Sequence, residues 1–283
     1  MEIRRLVESY SPPVTIMRPT SGWVPLRLGD VWAYRELLYF LALRDVKVRY
    51  KQTAIGAAWA VLQPLIVTAV FALVFGRLAR LPSDGVPYAL FALAGLVPWT
   101  AFASSLQGAS LSPVNNVNLV GKVYFPRLCL PLAAALAGLV DLAVSLVVLI
   151  VVALLYGVVP GAGMLVLPGL VVLLLLACLG PALWLAAVNV RYRDVRQVIP
   201  FLVQVLLFAS PVVYPSTLIE GPLRYLYALN PVVGVVEGFR WAVLGTGRDV
   251  LAVVGVSALS AALIAVGGAY FFRRAERGFA DVI

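Results

Sequence analysis

Apolar residues in this chain fall in long runs, and charged residues fall in short stretches between them. Six runs stand out, at about 55–76, 87–112, 128–155, 164–188, 198–214 and 250–272. A helix needs roughly 20 residues to cross the hydrocarbon core of a bilayer, and each run is near or above that length. The run at 198–214 is the shortest. The pattern predicts an all-α membrane protein with six transmembrane helices per subunit. Pro64, Pro98, Pro168 and Pro211 fall within or near the ends of these runs, where neighbouring helices can satisfy the freed carbonyls.

The sharpest boundary precedes the first run. Arg44, Lys47, Arg49 and Lys51 crowd together, and no charge follows until Arg77. A dense positive cluster against a spanning run marks a cytoplasmic membrane boundary. Ahead of it, residues 1–30 carry Pro12, Pro13, Pro19, Gly22 and Pro25 and read as an irregular cytoplasmic arm. Asp30 is placed to N-cap a helix over roughly 31–46, followed by an elbow to 54. Tyr34, Leu37, Leu38 and Leu41 share one face of that helix, while Tyr39, Phe40 and Leu43 occupy much of the other. It is too short to span, so it predicts an N-terminal amphipathic helix at the interface.

Residues 215–249 break the alternation of runs and short loops. The stretch is too long for a turn and too apolar for a solvated loop. Pro222, Pro231 and Gly234 divide it into two short helical pieces, joined at Asn230-Pro231. This predicts an external re-entrant helical hairpin over 215–243, which is allowed at membrane depth only where protein or water lines it. Such a hairpin points to a pore mouth or gate. Glu237 and Arg240, three residues apart, are spaced to form an ion pair within it.

Basic residues set the orientation. Stretches 1–54, 113–127, 189–197 and 273–283 hold 9, 2, 3 and 3 Lys or Arg residues. The opposite side holds Arg77, Arg80, Arg224, Arg240 and Arg248. The positive-inside rule then puts both termini in the cytoplasm, with the chain multi-pass in the cytoplasmic (inner) membrane and 273–283 as a cytoplasmic tail.

Composition supports a membrane class and narrows the chemistry. The chain is 62% hydrophobic and 12% charged, against a charged share of about a quarter in soluble domains. Its net charge of +9 is explained by cytoplasmic loops facing anionic lipid, not by a nucleic-acid partner. Residues 1–30 lack the short apolar core of a cleavable signal peptide. Cys129 and Cys178 fall at different depths of their runs, which argues against a disulfide. There is no histidine, which removes the commonest metal ligand and proton shuttle.

No catalytic constellation and no metal site is visible. Gly121-Lys122 lacks the following Ser or Thr of a phosphate-binding loop, since Val123 stands there, and Asn116 replaces the first glycine. Asp141 is the only carboxylate deep within a predicted span. Ala134, Gly138 and Ser145 share its helix face, so a hydrogen-bonded packing role is preferred to a proton or cation site. Aromatic and amide residues form faces on three runs: Trp59, Gln63, Phe71 and Phe75; Phe91, Trp99 and Phe102; Phe201, Gln204 and Phe208. They are candidates to line a translocation pathway of flat rings and amides suited to sugars, weighed against ordinary packing or lipid-facing aromatics. Arg191-Tyr192-Arg193-Asp194-Val195-Arg196 reads as a solvated loop or a headgroup contact.

At this point the sequence resembles the membrane subunits of ABC-2-type polysaccharide exporters, which move O-antigen, teichoic acid or capsule-like polymers. The resemblance is carried by Tyr34-Arg35-Glu36-Leu37-Leu38, by RDVKVRYKQT with Gly56 and Trp59, and by Leu62-Gln63-Pro64 and Val97-Pro98-Trp99. It continues through Lys122-Val123-Tyr124-Phe125-Pro126-Arg127, Asn189 to Val195, Ser210-Pro211-Val212, Leu229-Asn230-Pro231 and Glu237-Gly238-Phe239-Arg240-Trp241. The resemblance implies a homodimer working with two copies of a separate ATPase chain, which would bind the ATP and Mg. It implies that Tyr34, Arg35, Glu36, Arg44, Asp45, Lys47, Lys122, Tyr124 and Arg127 contact that ATPase. It implies an external gate at Tyr214, Asn230, Pro231, Glu237 and Arg240, and a lipid-linked polysaccharide as substrate. On this reading the chain is no enzyme on its own.

Rival readings fit less well. An ABC-2 exporter of a drug or small lipid would share the fold, but would not be expected to carry KVRYKQT and NVRYRDV together. A secondary transporter would want several intramembrane ionisable groups and inverted repeats. A membrane glycosyltransferase would want acidic metal-binding clusters in its loops.

Overall fold

The computed structural model describes residues 26, 28–51, 56–192 and 194–279. Residues 1–25 and 27 of the predicted arm, residues 52–55 around the end of the elbow, Arg193 and the last four residues lie outside the described set. Every described element is helical: α1 Leu28–Ala33, α2 Arg35–Lys51, α3 Gly56–Phe71, α4 Tyr88–Asn115, α5 Val117–Lys122, α6 Cys129–Leu155, α7 Leu167–Arg191, α8 Val195–Phe208, α9 Leu223–Tyr227, α10 Pro231–Leu244 and α11 Val250–Ala275. A π-helical segment, Ala72–Leu78, prolongs α3.

Five of these stretches are long and apolar enough to cross a membrane: Val61–Leu78, Tyr88–Asn115, Cys129–Leu155, Ala162–Arg191 and Val250–Gly278. The fifth predicted run behaves differently. Helix α8 has 14 residues and ends at Phe208, a length of about 21 Å against a core of about 30 Å. Ser210 to Tyr214 then turn back through non-helical backbone that Pro211 helps to break. The expected helix at 31–46 is also corrected. It is two helices broken by a turn at Tyr34, and Asp30 lies in the first turn of α1, not at a cap.

Helix α4 is the axis of the subunit. It packs against α6, α7 and α10, and more lightly against α3 and α8. A helix apolar all round belongs inside, and α4 buries Leu90 to Trp99 without interruption. Backbones approach closely where glycine removes the side chain. A Cβ on Gly180 would stand 2.9 Å from the Ala265 amide nitrogen, and one on Gly268 would collide with the Gly180 carbonyl, so α7 and α11 meet through bare backbone.

The predicted pair of short helices joined at Asn230-Pro231 is present. Asn230 Oδ1 accepts from the Val232 amide at 3.1 Å, and Gly245 ends α10 with φ of 70°, as a left-handed C-terminal residue should. Helix α10 is buried against α11, α4 and α7. At the other end of the bundle, Val31 and Leu41, Val120 and Phe125, Leu183, and Phe272 with Phe279 form one apolar cluster. The described ends of the chain and both the 117–128 and 183–190 regions therefore share one end of the molecule.

The bare contact between α7 and α11 generates a prediction. Gly180→Val should cost about 1–3 kcal/mol and lower the temperature at which detergent-solubilised protein loses its monodisperse peak. Gly169→Ala, with nothing within 4 Å, should leave that temperature unchanged.

Candidate functional site: two exposed faces, a buried arginine and a docking end

The exposed aromatics and amides lie on α3 and α8. On α3, Trp59 and Gln63 are exposed together with Leu62, Ile66 and Val70, a spacing that makes one stripe. On α8, Phe201, Gln204 and Phe208 are exposed with Val198 and Val205. Both helices rest on α4. The remaining ring candidates go elsewhere. Phe71 and Phe75 stack edge-on at 5.4 Å and pack partly buried against the main core. Phe91, Trp99 and Phe102 are buried, on the stretch of α4 that neighbouring helices cover on all sides.

Among the predicted gate residues, Arg240 is enclosed together with Glu237. Its side chain is 2% exposed, yet every nitrogen has an acceptor. Nε donates to the Phe91 carbonyl at 3.3 Å, Nη2 to the Val212 carbonyl at 2.6 Å, and Nη1 to the Pro211 carbonyl and to Glu237 Oε1, the latter at 3.3 Å. The guanidinium carbon lies 3.6 Å from the Phe91 ring centroid, within cation–π range. The expected Glu237–Arg240 ion pair is thus present, and it is buried. Tyr214 donates to the Phe208 carbonyl at 2.9 Å and meets the Tyr227 hydroxyl at 3.0 Å. Asn230 Nδ2 reaches the Ala209 carbonyl at 3.1 Å and Ser210 Oγ at 3.0 Å. Together they fasten the turn after α8 to α10.

The residues expected to face an ATPase lie at the clustered end. Tyr34, Arg35, Glu36, Lys47, Lys122 and Tyr124 are exposed. Arg44 and Asp45 are part-buried and paired at 2.8 Å. They help line a cleft of about 550 Å³ with Arg49, Ser112, Asn115 and Asn116. A second cleft, of about 620 Å³, runs along Asn118, Lys122, Tyr124 and Arg127. Arg127 itself is turned away, onto Glu276.

Comparison with known proteins decides the class. The model of the family described as ABC-2 type transporter matches residues 36–244. The chain belongs to that family. An O-antigen export system permease protein RfbA of Myxococcus xanthus is 30% identical over 258 residues, covering 90% of this chain and 98% of that protein. Its namesake in Klebsiella pneumoniae is 22% identical over 249 residues, covering 88% and 95%. The polysialic acid transport protein KpsM of Escherichia coli is 28% identical over 208 residues, covering 72% and 80%.

This ABC-2 chain also shows a constellation that sequence reading missed. Asp141 of α6 accepts from Arg49 and from the Tyr50 hydroxyl, both at the end of α2. The preferred packing role for Asp141 placed it on a small-residue helix face; its partners are instead a cation and a phenol outside the predicted spans. Burial, and then the Asp141 hydrogen bond, push the Tyr50 phenol up to about 12. The clue in the sequence was charge arithmetic: a lone carboxylate in a span needs a cation, and RDVKVRYK offers several. Spacing along a single chain could not say that α2 would lie along α6.

The pairing generates a double-mutant prediction. Arg49→Ala and Asp141→Ala should impair α2 packing by similar amounts, and the double variant should be no worse than either. Protease accessibility of 44–51 in membranes checks it. Strictly additive losses would mean that the two side chains act separately.

Proposed function

We propose that this chain is the transmembrane permease subunit of an ATP-driven exporter of a lipid-linked polysaccharide, an O-antigen, teichoic acid or capsule-like polymer. The carrying observation is the match to curated polysaccharide-export permeases over nearly their whole length. The exposed α3 and α8 stripes, with rings and an amide on each, add support. Flat rings stack on sugar faces and amides serve hydroxyls.

On this reading the working unit is a homodimer with two copies of a separate ATPase, which binds ATP and Mg. A second copy would cover part of the exposed faces and leave Trp59, Gln63, Phe201, Gln204 and Phe208 along a shared pathway. Phe71, Phe75, Phe91, Trp99 and Phe102 support that pathway from behind. The unit has six membrane-embedded segments, with α8 and the following turn as the short fifth one. Helices α9 and α10 form a re-entrant hairpin that, with Tyr214, Asn230 and the Glu237–Arg240 pair, closes the external side. Both termini and the clustered end are cytoplasmic, in the inner membrane. There Tyr34, Arg35, Glu36, Arg44, Asp45, Lys47, Lys122, Tyr124 and Arg127 form or back the ATPase contact.

Proteoliposomes holding the chain with its ATPase should move a fluorescent lipid-linked oligosaccharide only when ATP and Mg are supplied. Lys122→Glu should weaken ATPase co-purification at least several-fold without altering membrane insertion. Transport by the chain alone on a proton gradient would contradict the function, and unchanged co-purification would contradict the docking surface.

A further inference from the structure

The segment that carries Lys122 and Tyr124 is tied to the far end of the chain. After α5 ends at Lys122, residues 123–126 have no helix to hold them, and α6 begins only at Cys129. The restraint comes from Glu276. Arg127 Nη1 donates to the Glu276 carbonyl at 2.5 Å, and the Arg127 amide donates to Glu276 Oε1 at 3.4 Å. The other carboxylate oxygen accepts from Arg273 at 3.0 Å. One carboxylate thus bridges the end of α11 and the start of α6.

Apolar contacts close the same joint. Arg127 lies 5.8 Å from the Phe279 ring, and Phe279 meets Phe272 edge-on at 5.5 Å. Phe279 is buried with Phe125 and Leu128 in the cluster at this end of the bundle. Arg127 and Phe125 are therefore held inward while Lys122 and Tyr124 project outward, exposed. A docking loop fixed before its partner arrives loses less freedom on binding, and so binds more tightly.

We infer that Glu276 is a positioning residue that clamps 121–128 so that Lys122 and Tyr124 meet the ATPase in a preset arrangement. The inference rests on the reading that this loop contacts the ATPase. It also gives the C-terminal turn a part in coupling.

The full chain, co-expressed with its nucleotide-binding subunit and held in lipid nanodiscs, provides the test. Glu276→Ala, which removes the carboxylate bonds and keeps the carbonyl that Arg127 also meets, should weaken subunit association several-fold and open 121–126 to protease, while the thermal midpoint of the spans stays put. Glu276→Gln, which keeps the shape and one acceptor oxygen, should fall between Glu276→Ala and the parent. Parent-like association and loop protection in both Glu276 variants, with Lys122→Glu still impaired, would overturn the positioning role and leave docking intact. Parent-like association in Lys122→Glu as well would remove the docking surface itself. If Glu276→Ala fails to fold, the Gln variant decides by the same two readouts.

Discussion

A guanidinium buried at 2% exposure is costly unless each donor is met, and Arg240 sets the terms for everything around it. Its acceptors come from three places: Phe91 on α4, Pro211 and Val212 in the turn after α8, and Glu237 one turn back on α10. A helical carbonyl keeps a second lone pair, so Phe91 can serve from within α4, while Pro211 and Val212 lie in non-helical backbone. Pro211 breaks the helix there, so its own carbonyl and that of Val212 become available. Gly95 has no Cβ because one would collide with the Arg240 side chain. A proline, a glycine and a glutamate far apart in the sequence are thus conditions of one buried charge. Removing one partner of such a pair costs about 3–5 kcal/mol in soluble proteins.

The opposite end of the bundle is held by a different kind of joint. There the cluster is apolar with Arg127 and Arg273 on Glu276 at its edge, and further along α6 Arg49 and Tyr50 meet Asp141. Edge pairs of this kind add little stability on their own. They fix register, of α2 along α6 in one case and of the 121–128 segment in the other. On the proposed docking of an ATPase at this end, contacts that can be remade suit it better than a sealed cage like that of Arg240. One end is thus held by a buried charge and the other by apolar contacts with ion pairs, joined by the buried axis of α4.

Sequence reading reached the helical class, most of the spans and the local Glu237–Arg240 pair because these depend on run length and on spacing within one helix. The hairpin's two pieces were legible because Asn230-Pro231 is both cap and first turn. The fifth span was overdrawn: the apolar run continues past Phe208, but Pro211 and the demand of Arg240 for carbonyls turn the backbone. Phe91, Trp99 and Phe102 share a face as read, yet other helices cover that face of α4. Asp141 and Glu276 were illegible because their partners stand 92 and 149 residues away. Those are tertiary facts.

On the proposed function, a second copy and a substrate meet two of the exposed surfaces, the Trp59–Gln63 stripe of α3 and the Phe201–Gln204–Phe208 stripe of α8. A photoreactive amino acid placed at Gln204, in cells making the polymer, reads this directly. Capture of the lipid-linked glycan at position 204, and none from the same group at buried Phe102, is the result predicted. Capture of bulk phospholipid alone at position 204 would mean that the stripe faces the bilayer, and the pathway assigned to it would be wrong.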